Sequence, residues 1–122
     1  MEPSTTARGM AAQARAEAVL ARRGYAITER NFRWRGGELD LIAYDGDELV
    51  FVEVRSRAEG DCGRAEDTVG PVKQAQLARC AHAYLELRRP AFDACRFDVV
   101  AINGDSIEIF RDAFRPRDPV LR

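Results

Sequence analysis

Cysteine, histidine, lysine and tryptophan are all scarce in this sequence of 122 residues. The cysteines, Cys62, Cys80 and Cys95, are odd in number and widely spaced, and no two of them form a CxxC pair. Neither a disulfide framework nor a zinc site is therefore indicated. Lys73 is the only lysine, so almost all of the basic residues are arginines. Arginine suits bidentate contacts with phosphate, although genomic composition is the simpler explanation of this bias.

Long hydrophobic runs are also missing. A membrane-spanning helix needs about 20 apolar residues, and the longest candidate runs, at 49–54 and 99–102, are far shorter. The N-terminus lacks a basic start followed by an apolar stretch, so no secretory signal is recognised. We expect a soluble, cytoplasmic protein without a membrane partner. Its net charge of −1 gives no overall attraction to nucleic acid, and phosphate binding would require a local patch.

The hydrophobic pattern predicts one α/β domain over residues 1–122, with elements in the order αβββαββ and flexible ends at 1–7 and 115–122. Gly24 closes the first helix and Pro90 the second, while glycine-containing turns separate most strands. The predicted helices cover 8–23 and 71–89, and the predicted strands cover 25–33, 38–44, 48–57, 95–102 and 106–110.

The segment between the third strand and the second helix is polar, contains glycine and has no periodicity. We therefore predict a mobile loop over 58–70. In the helix that follows, apolar residues recur at steps of three and four, which predicts that they face the core. They are Val72, Ala75, Ala78, Ala81 and Leu85.

The hairpin around Asp45-Gly46-Asp47 brings two acidic residues together. If Gly46-Asp47 is a two-residue loop, Asp40 lies directly opposite Glu53. If Asp45-Gly46 is the loop, the two acids become diagonal neighbours on the same face. Either register places their carboxylates within about 5 to 8 Å of each other.

Strand alternation puts Arg55 beside Glu53 on the same face. The other face is predicted to hold Leu39 and Leu41 together with Val50, Val52 and Val54. Paired carboxylates on central strands repel each other, so a cation is expected to offset them. Two candidates stay open: Arg55 as a structural ion pair, or Mg²⁺ or Mn²⁺, which prefer carboxylate and carbonyl oxygens.

The segments 37–43, GELDLIA, and 49–57, LVFVEVRSR, resemble the YraN family of bacterial proteins. Further matching positions are Gly24-Tyr25, 30–33, Lys73 and 96–100. The resemblance implies a restriction-endonuclease-like fold, with a central mixed sheet flanked by helices. This is the fold of the PD-(D/E)XK superfamily, which includes archaeal Holliday-junction resolvases.

The resemblance also implies site roles. In the superfamily, the positions of Asp40 and Glu53 hold a metal ion, the carbonyl at Val54 adds a ligand, and the residue at Arg55 contacts the scissile phosphate. Arg55 replaces the superfamily's lysine, and since arginine stays protonated, it can bind phosphate but cannot act as a base.

Helix one carries a departure from the pattern of the family itself. Gln13 stands where the family usually has a glutamate, and Glu17, one turn later, is a possible substitute whose carboxylate is displaced by about 6 Å.

The basic residues Arg57 and Lys73 are predicted to bind phosphate, because both fall on family-matching positions. Arg33, Arg35 and Arg64 could also line a nucleic-acid groove, although ordinary surface charge is the preferred explanation of Arg35 and Arg64. Trp34 is interpreted as a partly buried hydrophobe, with stacking on a base as the alternative.

Two functions follow. The leading one is a metal-dependent, nuclease-like domain that binds and hydrolyses DNA or RNA, with branched substrates and a homodimer implied by the resolvases. The alternative is a catalytically degenerate scaffold of the same fold that binds nucleic acid or protein, which Gln13 and the acidic pI favour.

Overall fold

The computed structural model describes residues 5–57 and 63–116. Two α-helices and five strands lie within these ranges, in the predicted order αβββαββ. The predicted flexible ends fall mainly outside the described residues, and the first helix already includes residues 5–7. The elements are α1 Thr5–Arg22, β1 Ala26–Trp34, β2 Gly37–Asp45, β3 Glu48–Arg57, α2 Pro71–Arg88, β4 Ala94–Asn103 and β5 Ser106–Phe114.

The strands form one mixed sheet in the order β1-β2-β3-β4-β5. Only β3 and β4 are parallel, with an unbroken register from Glu48↔Ala94 to Arg57↔Asn103. A parallel pair needs a crossover connection, and α2 lies within this one. The predicted α/β fold with a central mixed sheet is confirmed, and it is consistent with a restriction-endonuclease-like architecture.

The two helices pack on opposite faces of the sheet and enclose two cores. The core under α2 contains Leu39, Ile42 and Phe51, whereas the core under α1 contains Leu41 and Val50. The prediction that Leu39 shares a face with Leu41 is therefore wrong. Residues two apart in a regular strand share a face, so the alternation of β2 breaks between them, at Asp40.

The break in β2 coincides with an unusual residue on the neighbouring strand. The pairs Arg30↔Leu41 and Phe32↔Leu39 flank Asp40 on one strand and Asn31 on the other. Asn31 has a φ of 56°, in the left-handed region that asparagine tolerates better than most residues. This local distortion lies beside one of the two predicted metal ligands.

Three of the five residues in the predicted stripe of α2, namely Ala78, Ala81 and Leu85, are buried as predicted, and the other two are not. Val72 is 86% exposed and Ala75 is also exposed, while Leu77 and Tyr84 are buried against the sheet with Ala81. Alanine occurs around much of this helix, so alanine spacing alone does not identify the buried face. The bulky residues Leu77 and Tyr84, which lie seven residues apart, identify the buried face.

The predicted loop over 58–70 is partly corrected. Residues 58–62 lie outside the described part of the chain, so the predicted mobility there is untested. Ala65–Thr68 forms a 3-10 turn. Ala65 is fully buried, and its N–H donates to Asn103 Oδ1 at 2.8 Å. A contact from a distant strand therefore orders a segment that has no periodicity of its own.

The last strand is longer than predicted, because β5 continues four residues beyond Phe110 to Phe114. Asp112 has a φ of 52° and interrupts the regular pairing with β4, which obscures the strand pattern. No helix in the described residues is long and apolar enough to cross a membrane.

Candidate functional site

The central hairpin adopts the first of the two predicted registers. Asp45 pairs with Glu48 around a Gly46-Asp47 turn, and the regular pairing continues to Leu41↔Val52. Asp40 and Glu53 therefore follow directly after the last regular pair. There the Asp40 side chain takes the place of a backbone partner, because its Oδ2 accepts a hydrogen bond of 2.8 Å from the N–H of Val54.

The two carboxyl groups form a hydrogen-bonded pair at the boundary of the α2-side core. Glu53 is only 4% exposed and Asp40 is half-buried. Burial, together with the neighbouring Glu53 carboxylate, raises the pKa of Asp40 to about 8, against the opposing effects of the Val54 N–H and the Lys73 charge. The protonated form of Asp40 is therefore favoured beside Glu53.

Two cations converge on Glu53. Arg55 Nη1 lies 3.3 Å from Glu53 Oε2, as the strand alternation predicts, and Lys73 Nζ lies 3.4 Å from the same oxygen. The sequence analysis placed Lys73 among phosphate-binding residues but did not predict this ion pair. The available signal was its position as the third residue of α2, the connection between the parallel strands.

The donor set suits a hard divalent cation. Asp40 and Glu53 supply carboxylate oxygens, and their side-by-side burial is stable at neutral pH only with a proton or another positive charge between them. In residues 5–57 and 63–116, no three His, Cys, Asp or Glu side chains are grouped as a ligand set. The protein's acidic contribution is therefore two carboxylates, and the Val54 carbonyl remains the predicted third ligand.

A cleft of about 560 Å³ opens beside Asp40, between α1 and the sheet. Gln13, Asn31 and Val54 also line it. Gln13 and Asn31 exchange two hydrogen bonds of 3.1 Å between their amides, which fixes the Gln13 side chain in the cleft. Gln13, the position at which the resemblance implies a glutamate, thus shares a cavity with Asp40.

The other predicted residues lie further from this centre. Glu17 does not line the cleft and forms a bidentate pair with Arg30, with Nη2 and Oε1 2.7 Å apart. Arg57 ends β3 with a half-buried side chain, opposite Asn103 in the parallel pairing. The structure thus brings together Asp40, Glu53, Arg55 and Lys73, with Gln13 at the edge.

Comparison with known proteins shows the family of this chain. Residues 12–102 match the sequence model of the uncharacterised protein family UPF0102. A UPF0102 protein of Dechloromonas aromatica is 47% identical over 115 residues, which cover 94% of each chain. One of Ralstonia pickettii is 44% identical over 93% of this chain and 94% of its own. The resemblance to the YraN proteins is thereby confirmed, and the chain belongs to the UPF0102 family.

Proposed function

We propose that this domain binds Mg²⁺ or Mn²⁺ through Asp40 and Glu53 and hydrolyses phosphodiester bonds in nucleic acid. The observation that carries the proposal is the buried carboxyl pair, in which the pKa of Asp40 is raised to about 8. Without a cation, such a pair costs the fold stability as the pH rises from about 4 to about 8, and it has a clear use as a cation site. Two cationic side chains, Arg55 and Lys73, also lie beside the pair, 3.3 and 3.4 Å from Glu53 Oε2.

The protein's residues divide the chemistry between them. Asp40 and Glu53 would hold the ion, which when bound lowers the pKa of a coordinated water and offsets charge on the phosphate. Arg55 and Lys73 are 29% and 31% exposed, so both reach solvent as well as Glu53. Both side chains end in N–H donors of the kind that binds phosphate oxygens and orients a scissile bond.

The second candidate function is a non-catalytic scaffold of the same fold. Gln13 favours it, because its neutral amide already has a partner in Asn31. The ion pairs of Glu53 with Arg55 and Lys73 also favour it, because they supply positive charge without a metal. The nuclease function requires Mg²⁺ or Mn²⁺ at Asp40 and Glu53, whereas the scaffold does not, so a metal-binding measurement distinguishes the two.

The first prediction is that millimolar Mn²⁺ raises the melting temperature of the parent protein but not of Asp40→Asn. A ligand that binds only the folded state at about 100 times its Kd adds roughly 2.7 kcal/mol of stability, or several degrees for a domain of this size. Asp47→Asn, at an exposed turn position, should keep the full shift. Equal melting curves for the parent with and without Mn²⁺ would leave the scaffold as the better description.

The second prediction is that Gln13→Glu tightens Mn²⁺ binding by roughly tenfold, because ligand charge sets the affinity of hard-cation sites. Without metal the same change should lower stability, since it adds a further carboxylate to the cleft beside Asp40. Glu17→Gln should leave Mn²⁺ binding unchanged, because Glu17 is engaged with Arg30. Isothermal titration of both variants tests this, and the reverse pattern would assign the third acidic position to Glu17.

A further inference from the structure

The turn between β1 and β2 is held rigidly against α2. Arg35 and Gly36 have φ values of 45° and 81°, as in the tight two-residue turns that suit twisted hairpins. Gln76 Nε2 donates to the Gly36 carbonyl at 3.3 Å, and Cys80 Sγ lies 3.7 Å from the Trp34 carbonyl oxygen. The side chains of this turn are therefore presented from a fixed backbone.

Trp34, the single tryptophan of the chain, is the largest of these side chains. It is half-buried and packs against the α2-side core, as the sequence analysis expected. The guanidinium of Arg35 lies over its ring, with Cζ 5.1 Å from the ring centre. A planar cation therefore already covers the accessible indole face, and a nucleic-acid base is also planar and can stack on such a face.

The turn borders the candidate site. Arg33, which is 79% exposed, pairs with Glu38 across the hairpin, and both line the α1-side cleft that contains Asp40. Trp34 lies on the α2 side of the sheet, the side from which Lys73 reaches Glu53. Asp40 is three residues along β2 from Gly37, or about 10 Å at the rise of a strand. A few nucleotides of one strand span that distance, at about 3.4 Å per base.

We propose that Trp34 stacks on an unpaired base of the substrate, next to the phosphodiester held at Asp40 and Glu53. The base takes the place of the Arg35 guanidinium, which then contacts a neighbouring phosphate. The substrate class is therefore nucleic acid with unpaired nucleotides beside the scissile bond. A continuous duplex is a poor substrate, because its bases stack on one another and must be unpaired at a cost.

This inference rests on the proposed function for the location of the cleaved bond, but its test needs no metal. The fluorescence of Trp34 is titrated, in EDTA, with a single-stranded oligonucleotide, a strand of abasic nucleotides of equal length, and a blunt duplex. We expect quenching by the single strand and little by the abasic strand or the duplex. Bound nucleic acid that leaves the emission unchanged overturns the stacking role, whatever the result of the Mn²⁺ melts.

Substitutions give a second readout by anisotropy with labelled oligonucleotides. Trp34→Ala should weaken single-strand binding at least tenfold, whereas Trp34→Phe should retain most of it because it keeps an aromatic face. Arg35→Ala should lower the slope of log affinity against log salt by about one, as expected for a lost phosphate contact. Arg23→Ala, an exposed arginine at the end of α1, is the matched control. Equal affinity of Trp34→Ala and the parent for the single strand would overturn the proposal.

Discussion

Asp40→Asn should stabilise the metal-free protein at alkaline pH by several kcal/mol relative to the parent. The folded-state pKa of Asp40 is about 8, against an ordinary value of 3.8. The folded protein therefore binds a proton that the unfolded chain has released, and the stability of the parent falls as pH rises from about 4 to about 8. Each unit of such a shift corresponds to about 1.4 kcal/mol. The amide that Asp40→Asn introduces does not titrate in this pH range. The stability of the variant therefore does not fall between about pH 4 and about pH 8 for this reason.

Urea unfolding at about pH 5 and about pH 9 measures the effect in both proteins. The groups facing Asp40, namely Glu53, Lys73 and Arg55, are the same in each, so the difference between the two pH profiles isolates Asp40. Asp47→Asn should follow the parent, because that carboxylate is exposed. Parallel pH profiles for the parent and Asp40→Asn would show that the proton is not held at this site.

The second large effect is expected on β4, where Asp98→Asn should lower the free energy of unfolding by roughly 3 to 5 kcal/mol. Asp98 is fully buried and accepts hydrogen bonds from Arg96 Nε at 3.0 Å and from the Tyr25 hydroxyl at 2.7 Å. It also accepts one from the Asp112 N–H at 2.9 Å. Arg96 also pairs with Asp45 and Glu48, but these are 29% and 48% exposed. Asp98→Asn therefore removes the buried negative charge that offsets the buried guanidinium.

Glu48→Gln is the matched control, because Glu48 contacts the same guanidinium at 2.8 Å but is 48% exposed. Solvent screens such a contact, so we expect a loss below about 1 kcal/mol. The double variant Arg96→Met/Asp98→Leu should recover part of the Asp98→Asn loss, because it removes both buried charges. A loss in Asp98→Asn no greater than in Glu48→Gln would mean that Arg96 is neutralised mainly by its exposed partners.

The acidic pair could be located from the sequence because its geometry is local. Asp45-Gly46-Asp47 marks the turn, and both registers that it allows bring Asp40 close to Glu53; the structure adopts the first of them. The Arg55 contact follows from strand alternation in the same way. The metal at this site remains a prediction, since no local pattern distinguishes a cation site from a buried ion pair.

The features that could not be predicted depend on contacts distant in sequence. Lys73 reaches Glu53 only because α2 crosses over the sheet, and the 3-10 turn at Ala65 depends on Asn103. The interrupted alternation that turns Leu39 toward α2 depends on the pairing of β2 with β1. None of these contacts leaves a periodic pattern in the residues that make it.

The parallel pairing of β3 and β4 has a consequence for the biosynthesis of this chain. The ribosome makes β1, β2 and β3 in succession, and they can form an antiparallel meander from short-range contacts. The partner of β3 on its other side is synthesised only some forty residues later. Until then, Leu49, Val50, Phe51 and Val52 form an apolar, unpaired strand edge of the kind that promotes aggregation. In the nascent chain, the strand that carries Glu53 is thus the segment with the greatest need of protection.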